Sequence, residues 1–365
     1  MENLRLIELF AGYGSQAMAL KRLGVDFEHY RVVEFDKFAI KSYNAVHNTN
    51  FDVTDIRDVK GEDLGIVELD KYDYLMTYSF PCTDLSIAGK MQGMSRDSGT
   101  RSGLLWEVER LLRESENLPQ FLVMENVSQV HCEVNINDFG EWISFLDSLG
   151  YVSKWKDLNS RDYGVPQNRE RCFMVSYLNK DLRYAFPDGI SLNKSSKDIL
   201  EQNVDERFFL NDDKLEKKIK AFVIDTQDTN KIIIKANTEL GYYELNNGGV
   251  VDLSYPKSKG RRGRVINNGL ISSTITATGS SDKMVMYKSI SQDIKIRKLT
   301  PLECFRFMDV SDEDALKMLS VNSEAQCYKQ AGNSIVVAVL EAIFKNMFLG
   351  GSEKTNAQID IYDIL

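Results

Sequence analysis

Short apolar runs recur along this chain, and each stops at glycine, proline or an acid. Leu4-Arg5-Leu6-Ile7-Glu8-Leu9-Phe10 runs into Ala11-Gly12-Tyr13-Gly14. Tyr30-Arg31-Val32-Val33-Glu34-Phe35-Asp36 is a second run, ending in an acid. Tyr72-Asp73-Tyr74-Leu75-Met76-Thr77-Tyr78 runs into Ser79-Phe80-Pro81-Cys82, and Gln120-Phe121-Leu122-Val123-Met124 into Glu125-Asn126-Val127. Runs of this length and composition read as buried strands. Amphipathic stretches between them, Ala17–Leu23 closed by Gly24, Gly103–Leu112 and Phe139–Leu149, read as helices. Strands alternating with helices give an α/β domain, and in open α/β sheets ligands gather at the carboxyl ends of the strands. The punctuating residues are therefore the candidate site.

Cys82 stands at the end of its strand, followed by Thr83-Asp84-Leu85-Ser86 and a loop with Gly89, Lys90, Gly93, Arg96 and Arg101. A lone cysteine is usually a small buried hydrophobe; a reactive one needs an electropositive, partly exposed site, which this loop would supply. Gly12 and Gly14, between strand and helix, let a ligand approach the backbone. Glu34, about 20 residues past that turn, suits hydrogen bonds to a ribose. Asp55-Ile56, in the segment Asp52–Val59, is placed to meet the base edge of the same ligand. Glu125 is an acid at a strand end, costly if buried without a task and suited to general-acid work if burial raises its pKa. In Gln167-Asn168-Arg169-Glu170-Arg171 the alternating arginines would share one face of a strand and could hold a carboxylate or phosphate.

The 365 residues allow about two domains. No apolar run approaches a membrane span and no signal peptide is read at Met1-Glu2-Asn3-Leu4-Arg5, so a cytoplasmic protein is expected. Cys82, Cys132, Cys172, Cys304 and Cys327 are scattered and read as free thiols; with three histidines and no CxxC pair, no metal site is expected. The net charge of -9 argues mildly against a nucleic-acid partner, but binding follows the local field. Lys257-Ser258-Lys259-Gly260-Arg261-Arg262-Gly263-Arg264 has the composition of an arm tracking phosphates, or of a solvated loop.

Taken in order, Phe10-Ala11-Gly12-x-Gly14, Glu34-x-Asp36, Pro81-Cys82, Glu125-Asn126-Val127, Gln167-x-Arg169-x-Arg171, Arg297-x-Leu299-Thr300-Pro301-x-Glu303 and Gly332-Asn333-Ser334 resemble the cytosine-C5 DNA methyltransferases of bacteria and phages, over residues 4 to 345. The resemblance implies a Rossmann-like S-adenosylmethionine-dependent sheet with helices on both faces, plus a smaller, irregular, mostly β target-recognition domain. It implies that Cys82 attacks C6 of a flipped cytosine, that Glu125 protonates N3, that Asn126 fixes the loop, that Arg171 steadies Glu125 and the pyrimidine, and that Arg169 is its phosphate-side neighbour. For S-adenosylmethionine it implies Phe10, Gly12, Tyr13, Gly14, Glu34, Phe35, Asp55, Ile56, Pro81, Leu105, Asn333 and Ser334. For double-stranded DNA it implies Ser86 and Lys90 on a closing loop, with Arg264, Thr274 and Ile275 in the recognition region. Thr83, where the family often has Gln, and Tyr13 with Ser15-Gln16 depart from the pattern.

The expected domains are 1–186 (catalytic and cofactor-binding), 187–292 (target recognition), 293–348 (a return segment whose last helix, Ser334–Phe348, docks on the first domain) and a tail, 349–365. A monomer is expected, with room for a cognate restriction endonuclease that shares the DNA without contact. Alternatives are an RNA (tRNA) cytosine-C5 methyltransferase, a dinucleotide-dependent oxidoreductase, which leaves Cys82, Glu125 and Arg171 without a shared task, and a catalytically silent DNA-binding protein.

Overall fold

The structure, a computed structural model, describes residues 3–350 except 83–84, 86–92, 97–99, 225–230, 259–262, 278–282, 290 and 292. The chain divides into two compact units. The first comprises 1–158, 170–188 and 339–365; the second comprises 159–169 and 189–338.

The first unit is built on a six-stranded sheet. Its strands are β1 (Leu4–Leu9), β2 (Phe27–Val33), β3 (Asp73–Tyr78), β4 (Phe121–Asn126), β5 (Val152–Asn159) and β7 (Glu170–Tyr177), in the order β2-β1-β3-β4-β7-β5. The short β6 (Gln167–Asn168) belongs to the second unit. β2, β1, β3 and β4 run parallel, whereas β7 runs antiparallel to β4. Every residue of β4 is buried, the pattern expected of a strand covered on both faces. Helices α1 (Ser15–Arg22), α2 (Lys37–His47), α3 (Leu105–Glu114), α4 (Ile136–Ser148) and α10 (Val337–Phe348) complete the unit. Residues of α10 from 339 onward belong to this unit, where Asn346 donates to the Ala185 carbonyl at 3.0 Å and Phe348 meets Phe121 edge-on.

Beneath the first glycine turn lies a buried polar chain. The Tyr43 hydroxyl donates to Glu8 Oε2 at 2.5 Å, His29 Nδ1 lies 2.7 Å from that hydroxyl, and His47 Nε2 meets the Tyr13 carbonyl at 3.0 Å. Burial pushes the Glu8 carboxyl up to about 8, only partly offset by Tyr43, while burial and the neighbouring His29 hold His47 down to about 3.

The second unit holds β8 (Val223–Ile224), β9 (Lys231–Lys235) and β10 (Tyr242–Asn246) in one sheet. β11 (Gly249–Asp252), β13 (Lys283–Lys288) and β14 (Ile294–Lys298) form another, and β12 (Ser272–Ser273) pairs with β6. Its helices are α5 (Ser196–Ile199), α6 (Asp212–Phe222), α7 (Pro301–Arg306), α8 (Asp312–Val321) and α9 (Glu324–Asn333). Two differences from the sequence reading stand out. Residues 159–169 and 293–338 join this unit, instead of lying in the catalytic domain and a separate return segment. The region also contains α6, capped by Asn211, with Leu215, Ile219 and Phe222 on the apolar cluster side. That spacing was readable, but the polar residues around it hid the helix. The tail beyond 350 lies outside the described residues.

The Arg297-x-Leu299-Thr300-Pro301-x-Glu303 stretch is scaffolding. Thr300 caps α7 in a reciprocal box with Glu303, and Pro301 occupies the first helical turn. Arg297 makes a bidentate pair with Glu303 at 2.8 and 2.9 Å, with both side chains about fully buried. The second Glu303 role, accepting from Glu201 N at 2.9 Å, ties in the segment after α5.

Removing one partner of a buried pair strands the other charge, so Glu303→Ala should cost about 3–5 kcal/mol in urea unfolding. Glu8 and His47 set a pH dependence. Between their ordinary values and their folded ones, the folded state holds a proton on Glu8 that the unfolded chain has lost, from 4.5 to about 8, and lacks one on His47, from about 3 to 6.5. Stability gained through His47 as pH rises is complete by 6.5, and above it the Glu8 contribution falls, together with that of His131, whose pKa the Asp157 hydrogen bond raises. Unfolding free energy should therefore decline from pH 6.5 to 8, and Glu8→Gln should flatten that decline.

Candidate active site

The turn after β3 is held from both sides. Proline has no amide hydrogen, so the chain around Pro81 depends on its carbonyls for anchoring. The Asn126 amide donates to the Phe80 carbonyl at 2.9 Å, and Ser102 Oγ donates to the Pro81 carbonyl at 2.7 Å. Asn126 Oδ1 accepts from Val127 N at 2.8 Å, which fixes the amide itself. Downstream, Leu85 N closes a turn on the Cys82 carbonyl at 3.1 Å and its side chain is buried. Cys82 is left half-buried at the sheet's carboxyl edge.

Glu125 stands on β4, the parallel neighbour of β3, with Tyr78 opposite Met124. It is 8% exposed. Arg171 Nε lies 3.3 Å from Glu125 Oε1, brought there by β7, whose Phe173 pairs with Glu125. A thiol and an arginine-steadied carboxyl thus occupy adjoining strand ends. That set suits covalent addition to an electron-poor ring together with proton delivery to it.

The first glycine turn lies at the end of β1. Gly12 has φ +59°, and a side chain there would meet nothing within 4 Å, so one face of the turn is open. Gly14 also has positive φ, and its missing Cβ leaves room for His47 and Tyr43 beneath. Glu34, one residue past β2, accepts from Gly12 N at 2.9 Å and from Asp36 N at 2.7 Å. Its carboxylate is therefore pinned against the turn. Phe35 beside it is 70% exposed, an aromatic face without cover. Asp55 caps the turn at Ile56 and is held below its ordinary range by the Arg57 hydrogen bond. The side chains of Tyr13, Ile56 and Leu105 are in the core; Pro81 is half-buried.

Comparison with known proteins decides the family. A family model described as C-5 cytosine-specific DNA methylase matches residues 4–349. The type II methyltransferase M2.ScrFI of Lactococcus lactis subsp. cremoris is 32% identical, over 94% of this chain and 99% of its own length. The type II methyltransferase M.HhaI of Haemophilus parahaemolyticus is 31% identical over 95% of each, and the orphan methyltransferase M.SssI of Spiroplasma monobiae is 30% identical over 94% and 96%. The chain belongs to the C-5 cytosine-specific DNA methylases. Solved structures of the Entamoeba histolytica methyltransferase EhMeth and of a Spodoptera frugiperda DNMT2 mutant share its fold. Each has a TM-score of 0.65, at 17% and 20% identity; each covers 95% of this chain and, respectively, 98% and 100% of its own.

The methylase is a DNA (cytosine-5-)-methyltransferase using S-adenosylmethionine, and its open Gly12 face, pinned Glu34 and bare Phe35 ring fit that cofactor. Its other expected contacts divide. Arg169 and Arg171 do not share a face. Arg169 falls between β6 and β7, is 4% exposed, and donates to the carbonyls of Ile275, Gly332 and Ser334 at 2.9, 3.2 and 2.6 Å. Both terminal nitrogens of the guanidinium are thus directed at backbone, where a phosphate-side role was expected. Ile275 is fully buried. Thr274 stays half-buried, its hydroxyl donating to the Asn168 carbonyl at 2.8 Å. Arg264 is bound to Asp252, a fully buried acid that Lys283 also approaches at 3.1 Å. Burial would raise the Asp252 pKa, but Lys283, Ser254 and Arg264 bring it below the ordinary range. Asn333 is exposed at the end of α9 and Ser334 follows it. Ser86 and Lys90 lie outside the described residues, as do Lys259 to Arg262. Arg96, expected as a loop cation, pairs with Glu109 and with Glu141 and stacks over Trp106.

The fold also gathers residues that spacing could not join. His131 Nε2, Asp157 and the Cys172 thiol lie within 4.8 Å of one another. The Asp157 hydrogen bond raises the His131 pKa, and burial pushes the Cys172 thiol up. The ion pair accounts for the first two.

Asn126→Ala removes the donor to Phe80 and should loosen the Cys82 turn. Misplacement of about an ångström costs on the order of 10²-fold in rate. Single-turnover methylation should fall by about that factor with little change in cofactor affinity.

Proposed function

We propose that the methylase extrudes a target cytosine from duplex DNA and methylates it through a covalent adduct on Cys82. Cytosine C6 is hidden in the base stack, so extrusion must precede attack. The Cys82 thiolate forms a bond to C6, and Glu125 delivers a proton to N3, so that negative charge does not build up on the ring. Arg171 holds the Glu125 carboxyl in position. C5 becomes an enamine carbon and takes the electrophilic methyl group that bound S-adenosylmethionine supplies. Solvent takes the C5 proton, β-elimination returns the electron pair of the S–C6 bond to the Cys82 sulfur as thiolate, and the N3 proton returns to Glu125. Support comes above all from one observation: Asn126, next to Glu125, donates to the carbonyl two residues before Cys82. The acid and the thiol therefore share one anchor.

Gly12, Glu34 and Phe35 are assigned to cofactor binding, with Phe10, Tyr13, Gly14, Asp55, Ile56, Pro81 and Leu105 around them; Asn333 and Ser334 are assigned to it as well. Residues 187 to 292 choose the DNA sequence, with Thr274 among the residues that meet the DNA. The enzyme works as a monomer in the cytoplasm. Among the described residues no single helix is long and apolar enough to cross a membrane. Its relatives include both type II and orphan methyltransferases, so a companion endonuclease is an optional partner that need not touch it.

Bisulfite sequencing of DNA from cells expressing the enzyme should show 5-methylcytosine in one sequence context. Duplexes of that context with 5-fluorocytosine at the target should trap Cys82, because fluorine cannot leave as a proton does. Cys82→Ala should bind the duplex but form neither adduct nor product. An adduct on any other residue, or turnover by Cys82→Ala, would refute the mechanism.

A further inference from the structure

We infer that Arg169 and Gln167 are positioning residues that couple DNA recognition to cofactor binding. The inference rests on the roles proposed above for Thr274 and for Asn333 and Ser334. All the structural observations lie within the second unit. The Arg169 guanidinium, buried to 4% exposure, reaches the Ile275 carbonyl with one nitrogen and the Gly332 and Ser334 carbonyls with another. Gln167, fully buried, accepts from Ile275 N at 2.8 Å and donates to the Phe307 carbonyl at 2.7 Å. The recognition segment is also paired at β6–β12, where Ser272 stands beside Gln167 and Ser273 beside Asn168.

The segments touch directly as well. A Cβ on Gly332 would lie 2.0 Å from Ala277 N and 2.2 Å from the Thr276 carbonyl carbon, so the backbone of the recognition segment crosses the end of α9 at a distance only glycine permits. Thr274 to Ala277 and Gly332 to Ser334 are thus one packed block around a single cation. A charge this deeply buried needs its hydrogen-bond partners, and losing one is costly. Moving the recognition segment onto DNA therefore moves, or holds, the Gly332-Asn333-Ser334 turn, and ordering that turn around cofactor does the same to the recognition segment. Coupling of this kind is reciprocal.

The test uses S-adenosylhomocysteine, which carries no methyl to transfer, and a duplex of the context found by bisulfite sequencing. Calorimetry gives the S-adenosylhomocysteine Kd of the full-length enzyme with and without saturating duplex. For the natural enzyme the duplex should tighten binding by about 5-fold or more, the lower end of typical couplings. In Arg169→Lys, which keeps the charge but cannot reach three carbonyls, the ratio should fall to about one. General loosening of the fold would weaken both affinities and leave the ratio unchanged, so that result overturns the inference. A ratio near one in the natural enzyme overturns it too. If Arg169→Lys shows no cooperative thermal transition, Gln167→Asn, too short to span Ile275 and Phe307, replaces it with the same expectation. Absence of 5-methylcytosine or of a Cys82 adduct would count against the proposed mechanism instead, whereas methylation without coupling would remove this inference alone.

Discussion

The amide of Asn126 holds the chain where β3 stops. From there the organisation of the catalytic edge follows. Pro81 removes one backbone donor, and the carbonyls on either side of it are taken by Asn126 and Ser102. One of those anchors leaves β4 directly after Glu125 and the other precedes α3. The thiol turn is thus referenced to the two elements that flank it. Parallel pairing of β3 with β4 adds the register, and antiparallel β7 brings Arg171 to the acid from the opposite direction.

Buried charge is the second organising theme. Arg169, Arg297 and Asp252 are all nearly inaccessible, and each meets hydrogen-bond or ion-pair partners in the interior. Their neighbours lie on other elements of the fold, so these ions act as joints between segments rather than as surface charges. Arg297 joins β14 to α7, Asp252 joins β11 to Arg264 and β13, and Arg169 joins β6 to the recognition segment and the end of α9. An acidic chain that works on DNA has thereby placed two of its arginines inside.

Much of the catalytic unit was readable in advance. Apolar runs ending at Phe10, Tyr78 and Met124 lie on strands within a residue or two of the observed ends, because fully buried strands leave little ambiguity in composition. The second run ended at Val33, which moved Glu34 just past the strand and onto Gly12 N. The middle region was harder. Its sheets are short and α6 is largely exposed, so neither period dominates, and the recognition elements were read as irregular. The arginines misled for another reason. A charged side chain in a sequence is assumed to face outward, and only a count of nearby carbonyls shows that Arg169 faces inward.

The order of residue types along the chain settled the chemistry: a thiol after Pro81, an acid before Asn126, a glycine turn and a strand-end carboxylate form a set that one reaction uses. These are local facts about what each strand ends in, and covalent order carries them. Partnership was decided only in three dimensions. Whether a cation meets DNA, a carboxylate or three carbonyls depends on which distant segments the fold brings within hydrogen-bonding reach. The energy of burial makes that choice, and it is a property of the packed chain and not of any stretch of it.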